Sequence, residues 1–196
     1  VKRSLIAITA TTGAEYFRDE QKKDVLFFAD NMYRHVQARN ELATILDQTP
    51  NEGGYEPSIF TDVKILQDRL SSNENGSITS VQTIYVPADD LSDPAVQFIQ
   101  HELDSVIVLS RKVAEQGQRP AVDLNQTSSS LLTPEVVGDR HYLLSVQVQS
   151  LLQKHESLKS IIAIIGENEL SAADRAVYAK AKKLITNFTQ NMNFKI

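Results

Sequence analysis

Residues 24–30 (DVLFFAD) constrain the fold more than any other part of the sequence, because five apolar residues stand in a row between two aspartates. A short continuous apolar run predicts a strand that is buried on both faces, as in parallel sheets covered by helices. Apolar residues at helical spacing over 4–18 and 32–46 predict helices on either side of this strand. The chain is therefore predicted to begin with alternating helices and strands.

The alternation continues along the chain. Helices are predicted over residues 59–70 and 95–103, and strands over residues 77–86, which are rich in β-branched side chains, and 106–109. Beyond about residue 133 the strand signals stop, and helical periodicity covers residues 141–154, 158–165 and 172–188. Ser171 and Asp174 predict the N-cap and the acidic third position of the last helix. We predict an α/β fold with a mainly parallel sheet over residues 1–128, followed by a small all-α domain over residues 129–196.

Composition excludes several classes of function. The formal net charge is −5, whereas a protein that binds a nucleic-acid backbone needs a basic surface. The chain has no cysteine, which excludes a disulfide framework and a thiolate metal site. Its histidines lack metal-ligand spacing, so we assign structural or surface roles to residues 35, 101, 141 and 155. No apolar run approaches the ~18 residues of a membrane span.

Asp30 is the first candidate for chemistry. The carboxyl ends of strands in an open α/β sheet face the ligand crevice, and a carboxylate there can position Mg²⁺ beside nucleotide phosphates. Arg34, four residues further on, can reach the same phosphate. Taken alone, each residue has an alternative interpretation. Asp30 could be a helix cap or a solvated loop residue, and Arg34 could be a surface arginine. The phosphate-binding sequence Gly-x-x-x-x-Gly-Lys-Ser/Thr is absent from the chain.

A resemblance over a longer part of the sequence favours the ligand-binding interpretation of Asp30 and Arg34. Residues 76–82 (GSITSVQ) and 84–95 (IYVPADDLSDPA) closely resemble the signature of the beta subunits of rotary ATP synthases. Matching segments continue in order along nearly the whole chain, among them residues 14–19, 30–41, 54–62, 108–111, 120–123, 137–142, 161–164 and 169–174. The chain is therefore identified as similar to the catalytic subunit of the F-type rotary ATPase family.

The resemblance implies the later part of a RecA-like nucleotide-binding domain followed by the family's C-terminal helical domain. It implies alternating alpha-type and beta-type subunits in a hexameric ring around a gamma-type shaft, with ATP or ADP and Mg²⁺ as ligands. Asp30 would hold the Mg²⁺ shell through water, Asn31 and Arg34 would line the phosphate pocket, and Tyr85 would lie beside the nucleotide. Shaft contacts would come from two segments, which comprise Asp89, Asp90, Ser92, Asp93, Asn168, Glu169, Leu170, Ser171 and Asp174.

Several positions depart from the family pattern. Arg119 stands where relatives have an adenine-stacking tyrosine, and a guanidinium stacks on a base differently from a phenol ring. The segment that matches the acidic lever of the family reads NELSAAD over residues 168–174, so three of five carboxylates are lost. Ser130 and Val146 replace arginines that in relatives face a neighbouring nucleotide. These departures suggest a diverged paralogue.

The resemblance also places the phosphate-binding loop and the glutamate that activates water upstream of Val1. We therefore expect the isolated chain to be inactive in ATP hydrolysis, because phosphoryl transfer depends on positioned groups. A non-catalytic pseudo-subunit of a motor assembly is the alternative, and residues 86–94 (VPADDLSDP) argue against an alpha-type subunit. The expected location is the cytoplasmic face of a membrane-bound complex at the bacterial plasma membrane, or else the mitochondrial inner membrane.

Overall fold

The protein is described from a computed structural model that covers residues 2–51 and 53–189. Contacts divide the chain into two compact units, Val1–Leu103 and Asp104–Ile196, and each is described by itself. This division groups a loop region with the helices that follow it, and the domain boundary between residues 128 and 129 stays a prediction. Among the described residues, no helix has the length and apolar character that would let it cross a membrane.

The first unit alternates helices and strands, as predicted. Its elements in chain order are α1 (Lys2–Asp19), β1 (Val25–Ala29), α2 (Met32–Ile45), α3 (Ser58–Arg69), β2 (Ile78–Gln82), a short 3-10 turn (Pro87–Asp89) and α4 (Pro94–His101). Strands β1 and β2 pair in parallel, with Val25 opposite Ile78 and Ala29 opposite Gln82. The parallel pairing confirms the α/β interpretation of the sequence.

Helices α2, α3 and α4 share the main core of this unit. The buried side chains of that core are Met32, Tyr33, Val36, Tyr55, Ile59, Val63, Leu66, Ala95, Val96 and Ile99. Burial of each large aliphatic side chain stabilises the fold by about 1.5–3 kcal/mol. A smaller cluster of Ala14, Leu70 and Ile78 packs against Val25 and Phe27 on one face of β1. These contacts hold the first turn of α2 and the ends of both strands in place.

The prediction that β1 is buried on both faces is wrong for the described residues. Leu26 and Phe28 are 59% and 69% exposed, and Val81 of β2 is exposed beside them. Side chains alternate across a strand, and described residues of this unit pack on the Val25–Phe27 side only. A continuous apolar run therefore predicted the strand correctly but not the covering of its second face.

The second unit is mainly helical. It contains β3 (Ser105–Val106), α5 (Arg111–Glu115), β4 (Ser128–Ser129), α6 (Pro134–Val137), α7 (Asp139–Ile165), a 3-10 turn (Glu167–Glu169) and α8 (Ala172–Phe188). The third predicted strand is only two residues long, and it pairs antiparallel with β4. The two helices predicted over 141–154 and 158–165 form one continuous α7, because no proline or glycine interrupts residues 155–157.

Candidate functional site

Asp30 directly follows β1, and Thr83 directly follows β2, so the parallel pairing brings the two residues side by side. The Thr83 amide donates to the carbonyl of Ala29 at 2.9 Å, and the Met32 amide donates to the carbonyl of Thr83 at 3.0 Å. The Thr83 hydroxyl Oγ1 donates to Oδ1 of Asp30 at 2.7 Å. Among the described residues, none donates a hydrogen bond to Oδ2 of this exposed carboxylate. Asp30 thus presents one oxygen to solvent at the carboxyl edge of the sheet.

Helix α2 begins immediately beyond Asp30. Asn31 is its N-cap, and the amide oxygen Oδ1 of Asn31 accepts from the backbone N–H of Arg34 at 2.9 Å. The NH₂ group of Asn31 donates to none of the other described residues, so it can donate to an anion. The Arg34 side chain is exposed, and its guanidinium forms no hydrogen bond or ion pair with the other described residues. The helix start therefore presents several donors beside the carboxylate of Asp30.

Tyr85 lies two residues beyond Thr83 and is 58% exposed. Its ring contacts the ring of Tyr33, with centroids 6.0 Å apart and planes inclined by 54°. Tyr33 in turn is buried in the first turns of α2. The structure thus places Tyr85 against the helix that begins after Asn31 and leaves the residue largely exposed. Its predicted place beside a nucleotide stays a prediction.

A chain of hydroxyl contacts joins α2 to two loops. The hydroxyl groups of Tyr33 and Tyr55 are 3.0 Å apart, and the Tyr55 hydroxyl donates to Oδ2 of Asp93 at 2.9 Å. Burial, followed by the hydrogen bonds to Tyr33 and Asp93, raises the pKa of Tyr55 well above its ordinary value. The other oxygen of Asp93 accepts from the backbone amides of Ala95 and Val96 and caps α4. Both carboxylate oxygens of Asp93 are therefore engaged within the first unit.

The rest of this loop, residues 89–93, is held by local hydrogen bonds. The amide and hydroxyl of Ser92 donate to Oδ1 of Asp90 at 2.9 and 2.6 Å, and these bonds lower the pKa of Asp90. Ala88 and Asp89 adopt φ angles of 53° and 58°, in the left-handed region. Asp89, Asp90 and Ser92 are exposed. Their predicted contact with a shaft stays a prediction, and Asp93 has in addition the structural role described above.

Arg119 lies in the second unit and is partly exposed. Its Nη1 donates to the carbonyl oxygens of Ala114 at 2.8 Å and Gln118 at 2.9 Å. These bonds tie one edge of the guanidinium to the backbone of its own loop. The planar faces of the group remain the part that can stack on a base. Its predicted place beside a nucleotide stays a prediction.

The segment that matches the acidic lever, residues 168–174, is the turn between α7 and α8. Leu170 is buried, and Ser171 caps α8 by accepting from the amide of Asp174 at 3.1 Å, which confirms the predicted cap. Asp174 also accepts from the Ser171 hydroxyl at 2.8 Å and pairs with Lys154 at 3.0 Å. These contacts lower the pKa of Asp174, the hydroxyl having the larger effect. Asn168 and Glu169 stay exposed at the tip.

The donors around Asp30 fit Mg²⁺ and a nucleotide phosphate. Mg²⁺ in phosphate sites takes one or two protein carboxylates and completes its shell with water and phosphate oxygens. Asp30 supplies such a carboxylate with a free Oδ2, while the start of α2 and the Arg34 guanidinium supply positive charge for the phosphate. Within residues 2–51 and 53–189, no cluster of three or more His, Cys, Asp or Glu side chains could hold a metal.

Comparison with known proteins gives the class to which this fold and site belong. A profile of the nucleotide-binding domain of the ATP synthase alpha/beta family matches residues 1–130. A profile of the C-terminal domain of V and A type ATP synthase matches residues 131–195. The chain therefore belongs to the ATP synthase alpha/beta family of rotary ATPases. The family-level resemblance inferred from the sequence is confirmed.

Two solved structures illustrate the similarity. The assembled ATPase EscN of the type III secretion system of enteropathogenic E. coli matches at 31% identity and a TM-score of 0.83, over 94% of this chain and 45% of EscN. The ATP synthase subunit NeqB from Nanoarcheaum equitans matches at 25% identity and a TM-score of 0.83, over 94% of this chain and 47% of NeqB. The chain thus spans slightly less than half the length of these relatives.

The sequence did not identify Thr83 and Tyr33 as parts of the site, and for Tyr55 it left a packing role and an interface role open. Thr83 was predicted only as part of a strand, although its place directly after β2 put it level with Asp30. That signal becomes visible once the register of the parallel pair is known. The tyrosine contacts depend on the packing of α2 against two loops, which the pattern of residues does not reveal.

Proposed function

We propose that this chain is part of a beta-type catalytic subunit of a rotary ATPase, which binds Mg-ATP at a subunit interface and couples its turnover to rotation of a central shaft. The observation that supports this proposal is the carboxylate of Asp30 at the carboxyl edge of a parallel pair, directly before the capped start of α2. Membership of the ATP synthase alpha/beta family and the accessible Arg34 agree with it.

The proposed roles follow from the chemistry of each side chain. Mg²⁺, when bound, would neutralise charge on the phosphates of ATP or ADP. Asp30 orients the hydration shell of the metal through its free Oδ2, and Arg34 stabilises negative charge on the transferred phosphoryl group. Asn31 keeps α2 capped through Oδ1, and its NH₂ group donates to the phosphate. Tyr85 packs beside the nucleotide. The role proposed for Arg119 is to stack on a base where relatives use tyrosine.

The proposed assembly is a ring with alpha-type subunits around a gamma-type shaft, on the cytoplasmic face of a membrane-bound complex. The exposed carboxylates of Asp89, Asp90 and Glu169 would face the shaft. With few carboxylates left in residues 168–174, we expect packing of the hairpin tip, more than charge, to carry force. EscN is an ATPase of a secretion system, so coupling to secretion is a second candidate that rests on 31% identity. Identification of co-purifying proteins distinguishes the two.

The test uses the full-length protein purified with its ring partners. We expect Asp30→Asn to lower the kcat of Mg-dependent ATP hydrolysis by about 100-fold or more, because a positioned charge at the phosphates is lost. Asp24→Asn is the matched control at the other end of β1, where Oδ1 of Asp24 accepts from Ser77 at 2.7 Å. It should change kcat by less than about threefold.

Two results would contradict the proposal. Activity that does not change in Asp30→Asn would remove the catalytic role of this carboxylate. A wild-type assembly that neither hydrolyses ATP nor exchanges bound nucleotide would instead identify a structural pseudo-subunit.

A further inference from the structure

Thr83 makes three hydrogen bonds to the short segment that contains Asp30. Two of them use its backbone, to the carbonyl of Ala29 and from the amide of Met32, and they bracket Asp30 on both sides. Any residue other than proline at position 83 could form both. The third bond runs from the hydroxyl Oγ1 to Oδ1 of Asp30 at 2.7 Å, and it requires threonine or serine.

The side-chain bond has a specific consequence for the carboxylate. A hydroxyl that donates to an ionised carboxylate forms a short, strong bond, and 2.7 Å is close to the range for this pair. The bond fixes the rotation of the Asp30 carboxylate and occupies Oδ1. Oδ2 is then the oxygen left open to solvent, since no described residue donates to it. An outer residue that orients a metal-holding carboxylate in this way affects metal affinity.

We propose that Thr83 is a positioning residue, which holds the Asp30 carboxylate with Oδ2 directed toward the hydration shell of the nucleotide-bound Mg²⁺. This inference rests on the proposed function of Asp30. It adds the residue that directly follows β2 to a site for which the sequence predicted Asp30, Asn31, Arg34 and Tyr85. It also explains why a polar, β-branched residue stands where the chain leaves β2: the branch suits the extended backbone, and the hydroxyl reaches the neighbouring strand end.

The test measures Mg²⁺-dependent binding of a fluorescent ADP analogue to the full-length protein with its ring partners. Thr83→Val removes the hydroxyl and keeps the branched shape, and we expect it to raise the half-saturating Mg²⁺ concentration by about 10-fold. Thr83→Ser keeps the hydroxyl and should stay within about twofold of wild type. Binding of the analogue without Mg²⁺ should be equal in all variants, which separates metal positioning from damage to the fold.

Thr79→Val is the matched control, because Thr79 lies in β2, the strand that precedes Thr83, is exposed and pairs with Leu26 away from the strand end. It should bind like wild type. If Thr83→Val does not fold, Thr83→Ala removes the same hydroxyl without a branched replacement, and the same shift is expected.

Two outcomes overturn the inference, and they are distinguishable. If Asp30→Asn weakens the Mg²⁺ dependence but Thr83→Val and Thr83→Ala do not, Thr83 is not a positioning residue and the proposed function stands. If Asp30→Asn itself leaves the Mg²⁺ dependence unchanged, the proposed function fails and the role of Thr83 fails with it. In steady-state hydrolysis we expect Thr83→Val to raise the Mg²⁺ requirement and to lower kcat at saturating Mg²⁺ only slightly.

Discussion

The two units of the chain hold their functional residues in different ways. In the first unit, Met32 and Val36 of α2 are buried against Ile59 of α3 and Ile99 of α4, so the helix that begins at the site rests on a packed core. In the second unit, few side chains are buried, among them Leu152, Leu158, Leu170 and Ala181 along α7 and α8. Large apolar residues stand at the surface of both units, among them Phe28 in the first, which is 69% exposed, and Ile164 in the second, which is 84% exposed.

The two units are suited to different tasks. A carboxylate and a helix start must be fixed closely to act on a phosphate, and the packed core of the first unit supplies that rigidity. The turn between α7 and α8 is instead fixed by local hydrogen bonds, with Ser171, Asp174 and Lys154 as partners. These contacts are local to the hairpin, so the proposed contact with a shaft would not depend on the core of the first unit.

The largest expected effect compares isoleucines from the two units. Ile99→Ala empties a fully buried position, and we expect it to lower the free energy of unfolding by about 3 kcal/mol. Ile164→Ala makes the same chemical change at an exposed position and should cost less than about 0.5 kcal/mol. Urea denaturation of the full-length protein measures both. Equal losses would show that the two units do not differ in packing as described.

A smaller effect is expected at the hydroxyl chain of the first unit. Tyr55→Phe removes the group that joins Tyr33 to Asp93 and leaves buried polar atoms without a partner. We expect a loss of about 1–2 kcal/mol in the free energy of unfolding. Tyr16→Phe is the control, since the Tyr16 hydroxyl contacts only the exposed amide of Gln21 among the described residues. An unchanged free energy of unfolding in Tyr55→Phe would show that these hydroxyl contacts do not stabilise the first unit.

In the second unit, we expect removal of the α8 cap to lower the stability of the fold. Ser171→Ala removes the oxygen that accepts from the amide of Asp174, and we expect a cost of about 1 kcal/mol. Ser157→Ala, within α7, removes a hydroxyl that donates to the Gln153 carbonyl and should have little effect. Thermal unfolding followed by circular dichroism compares the two variants. A greater loss in Ser157→Ala would contradict the assigned importance of the cap.

The smallest effect concerns pH. Burial, and secondarily the charge of Arg39, lowers the pKa of the buried His35 below its ordinary value. A histidine with a depressed folded-state pKa contributes stability that is present above its unfolded pKa of about 6.5 and lost as pH falls through the folded value. We expect the midpoint temperature of unfolding to decrease when the pH is lowered from 7.5 to 5.5, and to decrease less in His35→Gln. Identical pH profiles would refute a contribution from His35.

Much of the fold follows from sequence patterns. Apolar periodicity located α1, α2, α3, α4 and α8, and the run before Asp30 located β1, because local spacing reflects which face is buried. The same reasoning divided α7 into two helices and predicted a longer third strand. It failed there because exposed apolar residues blur the helical period, and because the pairing of residues 105–106 depends on a distant segment.

The site was predictable in part. Asp30, Asn31, Arg34 and Tyr85 follow from the resemblance, and the structure brings all four to one edge of the first unit. Thr83 was not predictable in its role, because the bond to Asp30 depends on the register between two strands 53 positions apart in the chain. The internal role of Asp93 likewise depends on the approach of Tyr55 from another loop.

The role of Asp30 in holding Mg-ATP is best tested by an experimental structure of the full-length assembly with Mg²⁺ and a non-hydrolysable ATP analogue. We expect the Mg²⁺ hydration shell beside Oδ2 of Asp30, with the terminal phosphate at the start of α2 within reach of Arg34. A nucleotide bound at another surface, or a phosphate at this edge with Asp30 directed away from the metal, would contradict it.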